Sequence, residues 1–206
     1  GALQADLRDE TATHDLLPRA AGALGGPITC LVNNASIFEY DNISTATEES
    51  WHRHIGSNLR APFILTQAMA AQGLAPETDA QDEPVAAGLI INMLDQRVRK
   101  LTPEFMTYTI GKMGLWALTQ TSSQALAPAI RVNAIGPGPT LKGAKQTDEH
   151  FARQRSKVIL ERGANPRDIT AALGYFIDAP SVTGQLICTD GGQHLGWKTP
   201  DAQGLE

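Results

Sequence analysis

Leu89-Ile-Ile-Asn-Met93 carries one polar side chain and no alternation of polar and apolar positions. A strand that shows neither face to water reads this way, and such strands belong to parallel sheets covered by helices on both sides. Upstream, Ile28-Thr-Cys-Leu-Val-Asn33 reads as a second buried strand, and downstream Ile130-Arg-Val-Asn-Ala-Ile135 as a third. Gln185 to Thr189 adds a final short strand. The intervening stretches are long enough for crossover helices. Thr11 to Leu24 is stopped by Gly25, Gly26 and Pro27; Glu48 to Gln72 places Trp51, Ile55, Leu59, Phe63 and Ala70 on one apolar face. Thr107 to Leu126 ends at Pro128, and Asn165-Pro166 opens a helix that runs to Asp178. This alternation predicts an α/β fold, a three-layer doubly wound parallel sheet, in one domain spanning residues 1–206.

The remaining segments are read as follows. Ala2 to Asp6 reads as a short strand, Ala75 to Pro84 as an acidic surface loop, and Gly136-Pro-Gly-Pro139 as a rigid turn. Leu141 to Arg162 is polar, with one helix starting near Asp148, and has the length of a lid. The net charge of −5 removes the attraction that drives nonspecific nucleic-acid binding and offers nothing to an anionic membrane. No secretory segment or apolar run of membrane length occurs. Cys30 and Cys188 lie in apolar runs without Cys or His neighbours at ligand spacing, so both read as reduced core residues of a cytoplasmic protein, with no metal site.

The strongest chemical signal is Tyr108-Thr-Ile-Gly-Lys112. Residues four apart share a helical face, and an ammonium beside a phenol stabilises the phenolate, lowering its pKa toward neutrality. Asn33-Asn-Ala-Ser36, Asp95 and Pro137-Gly138 each follow a buried strand, so all sit at carboxyl ends, the edge where such sheets bind ligands. Asn58, inside an apolar helix, is either a satisfied core amide or a tether for ordered water.

With these residues in order, the chain resembles the short-chain dehydrogenase/reductase family, a Rossmann-type fold. The resemblance runs from Asp6-Leu7 through Asn33-Asn-Ala, Asn58, Tyr108-x-x-x-Lys112, Asn133 and Pro137-Gly138 to Val182-Thr-Gly184 and Asp190-Gly-Gly192. It implies an enzyme that moves hydride between a nicotinamide cofactor and a small-molecule substrate. By the same resemblance Asp6 and Leu7 flank the adenine, and Asn33, Ala35, Ser36, Pro137 and Gly138 line the cofactor cleft. Tyr108 is the general acid/base, Lys112 holds the nicotinamide ribose and biases Tyr108, and Asn58 positions a relay water. A homotetramer built through the two long helices is also implied.

The family's commonest pattern has a serine thirteen residues before the tyrosine, where this chain has Asp95. A hydroxyl donates to a carbonyl oxygen gaining charge; an ionised carboxylate only accepts and repels it. A carboxyl group suits ring nitrogens instead, pairing with N–H donors or, if burial raises its pKa, delivering a proton. The pteridine-reductase branch shares this departure. Ile90-Ile-Asn-Met-Leu-Asp95 and Asn33-Asn-Ala-Ser-Ile-Phe38 resemble its motifs, with Phe38 as the ring that sandwiches a pterin, Ser36 at the cofactor phosphate or pterin edge, and Arg155-Ser-Lys157 bordering the pocket. The branch implies NADP(H), with NAD(H) as the other choice. The rival readings are a reductase of a sugar, acyl or steroid carbonyl, and a noncatalytic nucleotide-binding protein of the same fold. The glycine-rich turn that cradles the pyrophosphate in this family does not occur in residues 1–206, and neither Gly191-Gly192 nor Gly136-x-Gly138 has its spacing. The chain is therefore expected to be incomplete at its N-terminus, lacking the first two strands.

Overall fold

The computed structural model describes residues 1–143 and 146–199. Along the chain the elements are α1 (Glu10–Leu24), β1 (Cys30–Asn33), α2 (Glu48–Ile55), a π-turn (Gly56–Arg60), α3 (Ala61–Ala71), β2 (Glu77–Thr78) and β3 (Pro84–Val85). They continue with β4 (Gly88–Met93), α4 (Met106–Leu126), β5 (Ile130–Pro137), α5 (Asp148–Ser156), α6 (Pro166–Asp178) and β6 (Leu186–Thr189). Strands β1-β4-β5-β6 form one parallel sheet in that order, pairing Asn33 with Asn92, Asn92 with Ala134 and Ala134 with Leu186.

Every residue of β4 is buried, as its unalternating sequence requires, and the two sides of the sheet divide the core. On one side Ile90, Ile130 and Val132 pack against Leu17 of α1 and Leu65 and Met69 of α3, with Ala134 against Leu115 of α4. On the other, Leu89, Ile91, Met93 and Ile135 pack against Ala172 and Phe176 of α6. The result is helix, sheet, helix. Local chemistry sets the helix ends: the Asp9 carboxylate accepts the Ala12 N–H at 3.1 Å to start α1, and Gly25 at φ +74° stops it. Asp168 accepts the Asn165 N–H at 2.7 Å where α6 begins.

Several sequence expectations are corrected. Ala2 to Asp6 forms no strand, because an extended segment needs a neighbour to complete its ladder and has none among the described residues. β1 is not fully buried: α6 covers the sheet over β4 and β5 but leaves Cys30 and Val32 of β1 open, so Cys30 is an exposed thiol rather than a core one. Glu48 to Gln72 is not one regular helix, since the π-turn shifts its phase. Trp51 and Phe63 face outward, while His54, Ser57, Asn58, Ala61, Leu65 and Met69 are buried. Ala75 to Pro84 contains β2 and the first residue of β3, which pair in a small antiparallel ribbon, and Gly136-Pro137 extends β5 instead of turning. Within the Leu141–Arg162 stretch, Ala144 and Lys145 lie outside the described residues; α5 occupies the place expected of its helix.

Candidate active site

The carboxyl ends of β1, β4 and β5 and the first turns of α4 meet at one edge of the sheet. Tyr108 and Lys112 lie on one buried face of α4, and β4 runs out through Met93-Leu94 to Asp95. The Tyr108 hydroxyl donates to Asp95 Oδ2 at 3.0 Å, and Asp95 Oδ1 accepts the Arg97 N–H at 2.8 Å. Lys112 Nζ donates to the Met93 carbonyl at 2.7 Å and stands 5.7 Å from the centroid of the Tyr108 ring. The three side chains expected to cooperate are therefore together.

Their protonation departs from the sequence expectation. Burial, reinforced by the neighbouring Asp95 charge, pushes the Tyr108 phenol well above its ordinary value. Burial also raises Asp95, against the opposing pull of the Arg97 N–H and charge, Tyr108 and Lys112. It pushes Lys112 down to about 8, with Asp95 pulling the other way. The lowered phenol pKa expected from Lys112 is thus not found: desolvation and a carboxylate outweigh an ammonium whose hydrogen bond goes to Met93. Tyr108 is held in its protonated form.

Above the acid pair lies an aromatic wall. Phe38 is 54% exposed, stacks in parallel on Phe105 at 4.4 Å and presents its ring to Tyr108 edge-on at 4.8 Å. The Arg97 guanidinium covers the Phe105 ring at 4.7 Å. The loop bearing Phe38 is tied down by Asn58, whose Oδ1 accepts the Ile37 N–H and whose Nδ2 donates to the Ile37 carbonyl, each at 2.8 Å. The Asn58 side chain is thus a backbone tether. Phe105 enters α4 at φ +56° and caps nothing with its own side chain; the cap comes from Asp41, which accepts the Thr107 N–H at 3.1 Å and the Thr107 hydroxyl in a short bond. His54 joins the same cluster, with Nδ1 2.6 Å from Thr107 Oγ1. Asp41, His54, Arg97, Phe105 and Thr107 were not singled out from the sequence. For His54 and Thr107 the signal was polarity at helical positions that turn out buried; Asp41, Arg97 and Phe105 lie outside the α-helices and carried no periodic signal.

On the cofactor side, Asn33 is buried at the end of β1 and donates to Asn92 Oδ1 at 2.8 Å, while its own Oδ1 is buried without a partner. A buried acceptor left without a partner at the carboxyl end of β1 fits a ligand that brings hydroxyl donors, as a nucleotide ribose does. Ala35 and Ser36 are exposed next to it, and Pro137 and Gly138 are half-buried at the end of β5, where a Cβ on Gly138 would come within 2.7 Å of Asp190. Leu7 packs on the apolar cluster under α1, and the exposed Asp6 carboxylate is engaged by Arg8. Arg155 joins the two ends of the Leu141–Arg162 stretch, donating to the carbonyls of Pro139 at 2.7 Å, Ala164 at 2.6 Å and Gly163 at 3.1 Å, and to Asn165 Oδ1 at 3.1 Å. Among the described residues there is no group of three His, Cys, Asp or Glu that could hold a metal, and no helix long and apolar enough to cross a membrane.

A family profile described as Enoyl-(Acyl carrier protein) reductase matches residues 1–194. The chain belongs to the short-chain dehydrogenase/reductase family. It is 44% identical to the FolM alternative dihydrofolate reductase 1 of Brucella suis, crystallised with NADP, with a TM-score of 0.86 over 97% of this chain and 76% of that one. A blue fluorescent protein from a metagenomic library, crystallised with NADPH, is 28% identical, with a TM-score of 0.77 over 92% of this chain and 74% of that one. Galactitol 2-dehydrogenase of Agrobacterium fabrum is 30% identical over 211 residues, covering 94% of this chain and 78% of the relative. Membership in the short-chain dehydrogenase/reductase family makes this an oxidoreductase with a Rossmann-type fold.

Proposed function

We propose that this short-chain oxidoreductase is an NADP(H)-dependent reductase of a dihydropterin or a related flat heterocycle. The observation that carries the reading is the buried Tyr108 hydroxyl 3.0 Å from Asp95 Oδ2, a carboxyl group beside the tyrosine where the family's commoner serine would put a hydroxyl. The 44% identity to the Brucella enzyme and its bound NADP support both substrate class and cofactor.

The cofactor, when bound, supplies the hydride that reaches a carbon of the substrate's C=N bond. Asn33, Ala35, Ser36, Pro137, Gly138 and the ammonium of Lys112 would hold it, with Asp6 and Leu7 toward the adenine. Lys112 keeps two N–H valences after its bond to Met93, enough to orient two ribose hydroxyls. Tyr108, kept protonated by burial and by Asp95, gives its proton to the adjacent ring nitrogen. The raised pKa of Asp95 lets that carboxyl carry a proton in turn and return it to the phenolate. The exposed Phe38 ring supplies a stacking surface that a small ketone cannot use. Asn58 fixes that surface, and an ordered water beside it would link Tyr108 to bulk solvent.

Similarity to a sugar-alcohol dehydrogenase keeps a carbonyl substrate as the second reading. NADPH consumption measured across dihydrobiopterin, dihydrofolate and a panel of ketones separates the two. Turnover of the dihydropterins is expected; a response to ketones alone would remove the pterin reading. A homotetramer is proposed through α2, α3 and α4, which present Trp51, Phe63, Ile110 and Met113 to solvent. Light scattering of the full-length enzyme tests it.

A further inference from the structure

His54 is fully buried in α2, one helical turn before Asn58, and no part of the proton chemistry above uses it. Its hydrogen bonds run in one direction. Asp41 Oδ2 is a carboxylate oxygen that accepts from Ser50 Oγ at 3.1 Å and also from the Thr107 hydroxyl. The hydrogen-bonds from Thr107 and Ser50 overcome burial to hold Asp41 below the usual carboxylate range, so this oxygen is an acceptor. With its proton committed to Asp41, Thr107 Oγ1 must accept from His54 Nδ1, 2.6 Å away. That leaves Nε2 bare, and Nε2 is the acceptor for the Glu39 N–H at 3.2 Å. One neutral tautomer satisfies the whole chain: Glu39 N–H to His54, His54 to Thr107, Thr107 to Asp41.

The two ends of this chain are the two walls of the site. Glu39 follows Phe38, the exposed ring, and Thr107 precedes Tyr108, the acid. The His54 ring lies edge-on to Tyr108 at 6.0 Å. We propose that His54, as the Nδ1–H tautomer, is a positioning residue that sets the spacing between the Phe38 stacking surface and the Tyr108 hydroxyl, and so selects planar heteroaromatic substrates. The proposal rests on the dihydropterin reading for its substrate and, for the tether, on hydrogen-bond geometry supported by the ionised Asp41.

The full-length enzyme is compared as wild type, H54Q, H54N and H54L. Glutamine places an acceptor where Nε2 lies and keeps the Glu39 bond; asparagine places a donor where Nδ1 lies and cannot reach Glu39. The dihydrobiopterin KM is expected to rise roughly tenfold in H54L and H54N, the worth of one hydrogen bond. In H54Q it is expected to return to within about threefold, with KM carrying more of the change than kcat and NADPH affinity steady. Amide exchange provides the second readout, with residues 37–40 exchanging faster in H54L and H54N and protected in H54Q. Equal KM values and equal exchange in all three variants would overturn the proposal. A wild-type enzyme inactive on dihydropterins would sink the functional reading instead, and exchange at Glu39 would still decide the tether.

Discussion

Replacing Tyr108 by Phe deletes one oxygen and leaves the ring contacts with Phe38 and His54 in place. Asp95 loses the donor at 3.0 Å but keeps the Arg97 N–H at 2.8 Å, so the folding cost is bounded by one hydrogen bond to a charged group, about 1.5–3 kcal/mol. The rate cost is larger, because a positioned general acid contributes about 10²–10⁴-fold, or about 2.7–5.4 kcal/mol of barrier. Asp95→Asn keeps an oxygen to accept from Tyr108 but cannot hold its proton, and should fall in the same range. Since the two groups share one proton path, the double variant should be scarcely slower than the worse single one, giving a coupling energy nearly as large as a single effect. Single-turnover NADPH oxidation with dihydrobiopterin, at saturating cofactor, measures all four corners of the cycle. Multiplicative losses would mean that Asp95 and Tyr108 do separate jobs, and full turnover by Tyr108→Phe would end the proton-donor role.

Other perturbations give distinct signatures. The Lys112 ammonium is pushed down to about 8 by burial, so kcat/KM should fall as pH rises through that value. Its ordinary pKa of 10.5 applies unfolded; the unfolded chain binds more protons between the two values, so wild type should gain stability over Lys112→Met as pH rises through that window, read by melts at each pH. Phe38→Ala should raise the dihydropterin KM roughly tenfold through lost stacking, leaving the NADPH Kd unchanged in calorimetry. Asp41→Ala orphans the buried Thr107 donors at the start of α4 and should cost about 3 kcal/mol, a Tm drop of about 6–12 °C by scanning calorimetry. Gly191→Ala forces a Cβ to within 2.3 Å of the Arg162 carbonyl at φ +64°, and should lower Tm by at least about 4 °C.

The sheet was legible because β4 and β5 are short segments buried on both sides, and their length and bounding glycine and proline residues set them apart from buried helices. β1 shares that composition, yet its burial depends on what lies above it, which a run such as Cys30-Leu-Val does not encode. Tyr108, Lys112 and Asp95 were readable since helical spacing and strand ends translate directly into proximity. Their proton affinities were not, because desolvation is a property of the whole neighbourhood and here reverses the effect that Lys112 alone would have on Tyr108. The π-turn at Gly56–Arg60 breaks the uniform helical period across Glu48 to Gln72, and Trp51 and Phe63 lie outside while His54 and Asn58 are hidden within. Contacts joining residues far apart in sequence, such as Asp41 with Thr107, leave no local trace.

One guanidinium, that of Arg155, staples the point where the chain leaves the sheet edge at Pro139 to the point where it returns at Gly163–Asn165. The intervening stretch is therefore a cassette with a fixed socket. Doubling the length of such a closed stretch adds only about 0.6 kcal/mol of closure entropy. Because Arg155 belongs to the stretch that it closes, a longer or shorter cover grafted between relatives should leave the Tyr108–Asp95 pair undisturbed only when it carries that arginine along.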